Sequence, residues 1–117
     1  MPYIEGLYLA DSNGSTPTGP APTVFEAIVR RLCVTATYNR MSVLLAPHVI
    51  FMKNDAVYVG AVTIEREGQS PREAKVGLFK LDGLVDLKLT DRAFFVDPVF
   101  DRRDERYAAS ALMMVDA

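Results

Sequence analysis

From Thr23 the apolar residues recur at helical intervals, with Phe25, Ile28, Val29 and Leu32 on one side and Arg30 and Arg31 between them. Thr23 and Glu26 stand at capping-box spacing, so the pattern predicts a short helix from Val24 to Leu32. The period then changes to two. Val34, Ala36 and Tyr38 alternate with Cys33, Thr35 and Thr37, which predicts a strand, and Asn39 and Arg40 supply its turn.

The apolar run from Met41 to Met52 contains Pro47, which cannot donate to a central ladder, so two strands or one strongly bent strand are expected there. Lys53, Asn54 and Asp55 read as a hairpin turn into a β-branched strand from Ala56 to Ile64. A charged loop with Gly68 and Pro71 covers Glu65 to Glu73. In the next strand, from about Ala74 to Asp82, alternation fails near Gly77, and a glycine there predicts a bulge. Val85, Leu87 and Leu89 then mark a half-exposed strand. Asp101 caps a predicted terminal helix, with acidic residues in its first turn and Tyr107, Ala108, Ala111, Leu112 and Val115 as its apolar stripe.

Ahead of these elements, Tyr3, Ile4, Leu7, Tyr8 and Leu9 give a short edge strand. Asp11 to Pro22 is rich in Ser, Thr, Gly and Pro and offers nothing large to bury. Residues 1–22 are thus expected to form an arm or linker and 23–117 one domain. The expected fold is mainly β with a helix before and a helix after, strongly curved at its glycines and prolines, as in a small barrel.

Half of the 117 residues are apolar, enough for one core without metal or disulfide support. The net charge of -2, from 13 basic and 15 acidic residues, provides no global attraction to nucleic acid or an anionic membrane. A single cysteine, no signal-peptide pattern and no apolar run of membrane length predict a soluble cytoplasmic protein.

One histidine and one cysteine cannot build a zinc site, and no cofactor is expected. Cys33, at a helix-to-strand junction among apolar residues, reads as a small buried hydrophobe rather than the nucleophile of a dyad with His48. Gly77 and Gly83 are not followed by the Lys-Ser or Lys-Thr of a phosphate loop. Arg102, Arg103 and Arg106, interleaved with acids, read as a solvated helix face, and Met113 and Met114 as either partner contacts or a frayed end. No catalytic constellation emerges, so a non-enzyme is expected.

From Phe25 to Phe94 the order of these features resembles a WYL domain, the ligand-sensing β domain of bacterial transcription regulators. The likeness rests on Ala27, Ile28, Arg30, Arg31, Val34, Tyr38 and Arg40, then Pro47 and His48, then Val57, Tyr58 and Val59 at the naming motif. It continues through Phe79, Lys80, Leu81, Asp82, Gly83 and Leu84 to Leu87, Leu89, Thr90, Asp91 and Phe94. The resemblance implies an Sm-like or SH3-like barrel with a groove for nucleic acid or a small, often anionic, effector. Gly77 and Gly83 stand where that family has arginines, which makes nucleic acid the less expected partner.

The remaining polar positions predict a ligand site of Arg40, His48, Tyr58 and Lys80. The expected function is a stand-alone regulatory module for a small-molecule or nucleotide-like effector. No winged helix-turn-helix fits ahead of Thr23, so any DNA reading falls to another chain. The alternative is an assembly protein whose terminal helix and N-terminal arm dock onto a protein partner or a second copy.

Overall fold

The computed structural model describes residues 19–116. The strand expected within Met1 to Ala10 lies outside them. The one α-helix among the described residues, α1 (Ala21–Arg30), begins inside the expected arm, with Pro20 at its N-cap and Pro22 in the first turn, where a missing N–H breaks no helical bond. The expected capping box does not form: no side chain caps the helix, and Glu26 instead pairs with Arg30 at 2.6 Å. Arg31 ends the helix in the left-handed region (φ 55°), its N–H reaching the Ala27 and Ile28 carbonyls.

Six antiparallel strands follow: β1 (Leu32–Tyr38), β2 (Met41–Lys53), β3 (Ala56–Arg66), β4 (Val76–Lys80), β5 (Val85–Ala93) and β6 (Ala111–Met114). They form one sheet in the order β4-β3-β2-β1-β5, with β6 paired to β2. The first two hairpins turn on Asn39-Arg40 and Asn54-Asp55, all four residues at positive φ, as a type I′ turn requires. A 3₁₀ turn at Leu81–Gly83 links β4 to β5.

β2 organises the sheet. It runs unbroken through Pro47, with register irregularities at Leu44/Leu45 and Pro47/Val49, so the bent-strand alternative is the one realised. One edge pairs with β3 from Val43 to Lys53. The opposite edge is shared, β1 covering Met41 to Leu45 and β6 covering Val49 to Phe51, and Pro47 sits in the gap between them.

The sheet is strongly curled. In a flat sheet β1 and β4 would stand about 14 Å apart across three strand spacings. Here the rings of Tyr38 and Phe79 meet edge to face with centroids 5.0 Å apart. Val24, Ala27 and Ile28 of α1 join Val34, Leu45, Val49, Ile50 and Val59 in the core.

Two expectations are corrected. No bulge occurs at Gly77, where β3 and β4 pair in continuous register from Val62↔Val76 to Tyr58↔Lys80. Among the described residues no α-helix follows β5 either, only a 3₁₀ turn at Ala108–Ser110. Asp101 and Asp104, read as helix-starting residues, turn their carboxylates back onto the N–H groups of Arg103 and Arg106, closing local turns. The chain then enters β6, which supplies the partner that β2 lacks beyond β1. Leu112 of the supposed stripe is exposed, while Met113 and Met114 are half-buried partners of Ile50 and Val49. Among the described residues no helix is long and apolar enough to cross a membrane.

Gly60 lies in β3 where a Cβ would come within 2.5 Å of Val49 Cγ1. Gly60→Ala is expected to destabilise the domain by about 1–3 kcal/mol through overpacking, read as a lower urea midpoint at unchanged slope.

Candidate functional site

The four residues singled out in the sequence do not converge. Arg40 is exposed at the β1–β2 turn with φ 66°. Tyr58 and Lys80 are register partners on β3 and β4 and share a face, but Tyr58 pairs on its other side with Phe51, ten positions along β2 from Met41. The Tyr58 ring stacks on Phe51 at 5.8 Å, and Lys53 Nζ lies 5.7 Å from its centroid. Tyr58, Lys80 and Lys53 therefore make a small basic-aromatic patch at the far end of β2 from Arg40.

His48 is 0 % exposed and has no ring edge free for a ligand. The Asp97 N–H donates to Nε2 at 3.0 Å, which places the proton on Nδ1, and Nδ1 donates to the Ala46 carbonyl at 2.8 Å. The ring also packs against Phe94 and Phe100 at 4.9 and 5.2 Å, and the His48 carbonyl accepts from Val115 N–H at 2.8 Å. It is thus a clasp between β2 and the chain that follows β5. Burial holds the imidazole below its ordinary value, outweighing the Ala46 hydrogen bond and the Asp97 charge.

Cys33 is equally enclosed, and burial raises its thiol, keeping it protonated and unreactive at neutral pH. With both His48 nitrogens occupied, the two residues form no dyad.

A cleft of about 560 Å³ lies instead between the end of β3, the following loop and the start of β4. β3 closes into the loop through Glu67 and Gly68, both at positive φ, with Arg66 and Gln69 exchanging backbone hydrogen bonds of 2.8 and 3.0 Å. This turn folds the segment from Gln69 to Lys75 back beside β4. Gly77 and Phe79 pair with Ala61 and Val59, and Thr63 follows two residues on, so Thr63, Gly77 and Phe79 share one face and contribute the cleft floor.

Arg66, Arg72 and Lys75 line the cleft with one acid, Glu73. Lys75 and Glu73 approach at 3.9 Å, with both side chains about three-quarters exposed, a weak pairing. Among the described residues neither Arg66 nor Arg72 has an ion-pair partner. A chain of net charge -2 therefore carries a locally positive cleft. Its charges were visible in the sequence as a charged loop; that they surround a floor at Gly77 depends on the turn.

Gly77 and Gly83 have a packing role. A Cβ at Gly77 would lie 3.0 Å from the Phe79 ring, and one at Gly83 would lie 3.0 Å from the Tyr38 ring. The Tyr38–Phe79 pair occupies that space.

No protein-family model, curated protein or solved structure matches this chain.

Proposed function

We propose that this protein is a WYL-like module with an Sm-like or SH3-like barrel that binds a small anionic effector without transforming it. The carrying observation is the cleft beside Gly77, lined by two guanidiniums that have no carboxylate partner among the described residues. A volume of about 560 Å³ suits a small molecule, and a guanidinium offers paired donors to a carboxylate or phosphate. The barrel reading is supported by the curl that joins Tyr38 to Phe79 and by the order β4-β3-β2-β1-β5 with a 3₁₀ turn between β4 and β5. The basic groups then come from the β3–β4 loop, whereas the resemblance places them at positions 77 and 83.

Arg66→Ala combined with Arg72→Ala tests the site. Both side chains lie at the surface, so the double variant should keep wild-type stability within about 0.5 kcal/mol. Its affinity for any anion that stabilises the wild type in a thermal-shift screen should fall about a hundredfold, as loss of two charge-assisted hydrogen bonds implies. Unchanged affinity there, with a loss on Lys53→Ala and Lys80→Ala, would move the site to the Tyr58 patch.

A second reading, contact with a protein partner or another copy, draws on Phe95, which is 96 % exposed two residues beyond β5. A concentration-dependent sedimentation coefficient that Phe95→Ser abolishes would establish that role.

A further inference from the structure

We infer that residues 94–115 form a strap that His48 locks and that acid opens by protonating the His48 ring, leaving the sheet of β1 to β5 in place. The carrying observation is that one residue pins both ends of the strap. At its start, the His48 ring packs on Phe94 and Phe100 and accepts from the Asp97 N–H at 3.0 Å. At its end, the His48 carbonyl accepts from the Val115 N–H at 2.8 Å. Between those points the strap carries β6, whose pairing with β2 runs over Val49, Ile50 and Phe51, directly after His48.

The lock leaves no room for a second proton. Nδ1 holds the one proton of the neutral ring and donates it to the Ala46 carbonyl at 2.8 Å, so Nε2 alone has a lone pair, and the Asp97 N–H occupies it. A proton on Nε2 would face that N–H donor against donor, in a site with 0 % exposure. Protonation therefore requires the Asp97 bond to break and the strap to lift from the ring. Burial, which holds the imidazole below its ordinary value, acts in the same sense.

The surrounding charges moderate this trigger. The Asp97 carboxylate, which accepts from the Val99 N–H at 2.9 Å, favours a charged ring but does not outweigh burial. Arg102 and Asp116 stand at the far end, the first donating to the Val115 carbonyl and the second exposed. Tyr107, stacked on Phe100, is kept neutral by burial. β6, the buried residues of α1, and Gly60 and Ala61, which pair with Val49 and Pro47 on either side of His48, carry no titratable group.

What opens is a strand edge. β1 covers β2 only as far as Leu45, so once β6 lifts, Val49 to Phe51 present backbone groups that another strand can pair. The other ladders contain no strap residue and persist.

The experiment is NMR of the full chain from about pH 8 to about pH 5, the range in which histidine titrates. The imidazole nitrogens report protonation of His48, and hydrogen exchange, corrected for its intrinsic pH dependence, reads the opening. Below about pH 6.5, protection at Asp97 and Val115 should fall about tenfold per pH unit, while amides in the β1–β2 and β2–β3 ladders keep theirs. His48→Gln should hold both strap amides level across the range. Asp97→Asn, which keeps the oxygen that accepts from Val99, should retain the step. Should His48→Gln fail to fold, Asp97→Asn and the coincidence of ring protonation with strap opening in the wild type decide the matter. Opening that persists in His48→Gln, or vanishes in Asp97→Asn, would put the trigger on another group. A ring that protonates while the strap amides stay protected, a ring that stays neutral throughout, or loss of the sheet amides at the same pH would equally overturn the switch.

Discussion

His48→Ala is expected to cost about 3 kcal/mol or more and to release the chain that follows β5. The substitution empties an enclosed site between Phe94 and Phe100 and leaves the Ala46 carbonyl and the Asp97 N–H without their ring partners. A cavity and two lost hydrogen bonds act in the same direction. In a domain whose total stability is of the order of 5–15 kcal/mol, that is a large share. Urea denaturation measures the loss, and faster amide exchange at Asp97 and Val115 would locate it. Wild-type protection at both amides in the variant would refute the clasp.

The same residue sets a pH dependence whose sign follows from its environment. Burial keeps the His48 imidazole below its ordinary 6.5 in the folded chain. Between the folded and unfolded values the unfolded chain binds a proton that the folded chain refuses, so stability rises with pH across that interval. The His48 contribution is fully present above about pH 6.5 and is lost as pH falls below it. Stability measured in steps downward from neutral pH should therefore decline more steeply in the wild type than in His48→Gln. Carboxylate titration is common to both proteins and cancels in the difference. Equal slopes would mean that His48 is not held neutral.

Tyr107→Ala is expected to cost about 3–5 kcal/mol, as deletion of a large buried ring does. Tyr107 is 1 % exposed, stacks on Phe100 at 5.6 Å with an interplanar angle of 11°, and packs on Phe51 at 5.6 Å. Its hydroxyl donates to the Asp101 carbonyl at 2.9 Å. Tyr107→Phe keeps the ring and removes only that bond, so about 1 kcal/mol is expected. The gap between the two variants separates packing from hydrogen bonding. If they cost the same, the ring does not anchor the segment. The Ala variant should also expose Phe51 and weaken the pairing of β6 with β2, visible as a loss of near-ultraviolet dichroism.

His48 and Tyr107 show where sequence reading reached its limit. Both residues stood out, His48 as a groove residue and Tyr107 as the start of a helical stripe. Their true roles depend on a strand edge of β2 that opens only past Leu45, where its pairing with β1 stops. The residues from Ala111 to Met114 have ordinary helical spacing, but the unpaired stretch of β2 from Val49 to Phe51 offers ladder hydrogen bonds that an isolated helix cannot match. Asp101 and Asp104 look like helix caps because the same carboxylate geometry serves an N-cap and an isolated turn.

Local chemistry was enough to place α1, the hairpin turns at Asn39-Arg40 and Asn54-Asp55, the β character of the segments up to Ala93, and the enclosure of Cys33. Those features follow from periodicity and from residues that tolerate positive φ, both properties of a few neighbours. Tertiary structure alone decided that Pro47 lies within a continuous strand, that His48 is buried, that Gly77 makes room for an aromatic ring, and that Arg66 and Arg72 line one cleft. Each depends on groups distant in the chain brought together by the curl of the sheet, and no local spacing encodes that distance.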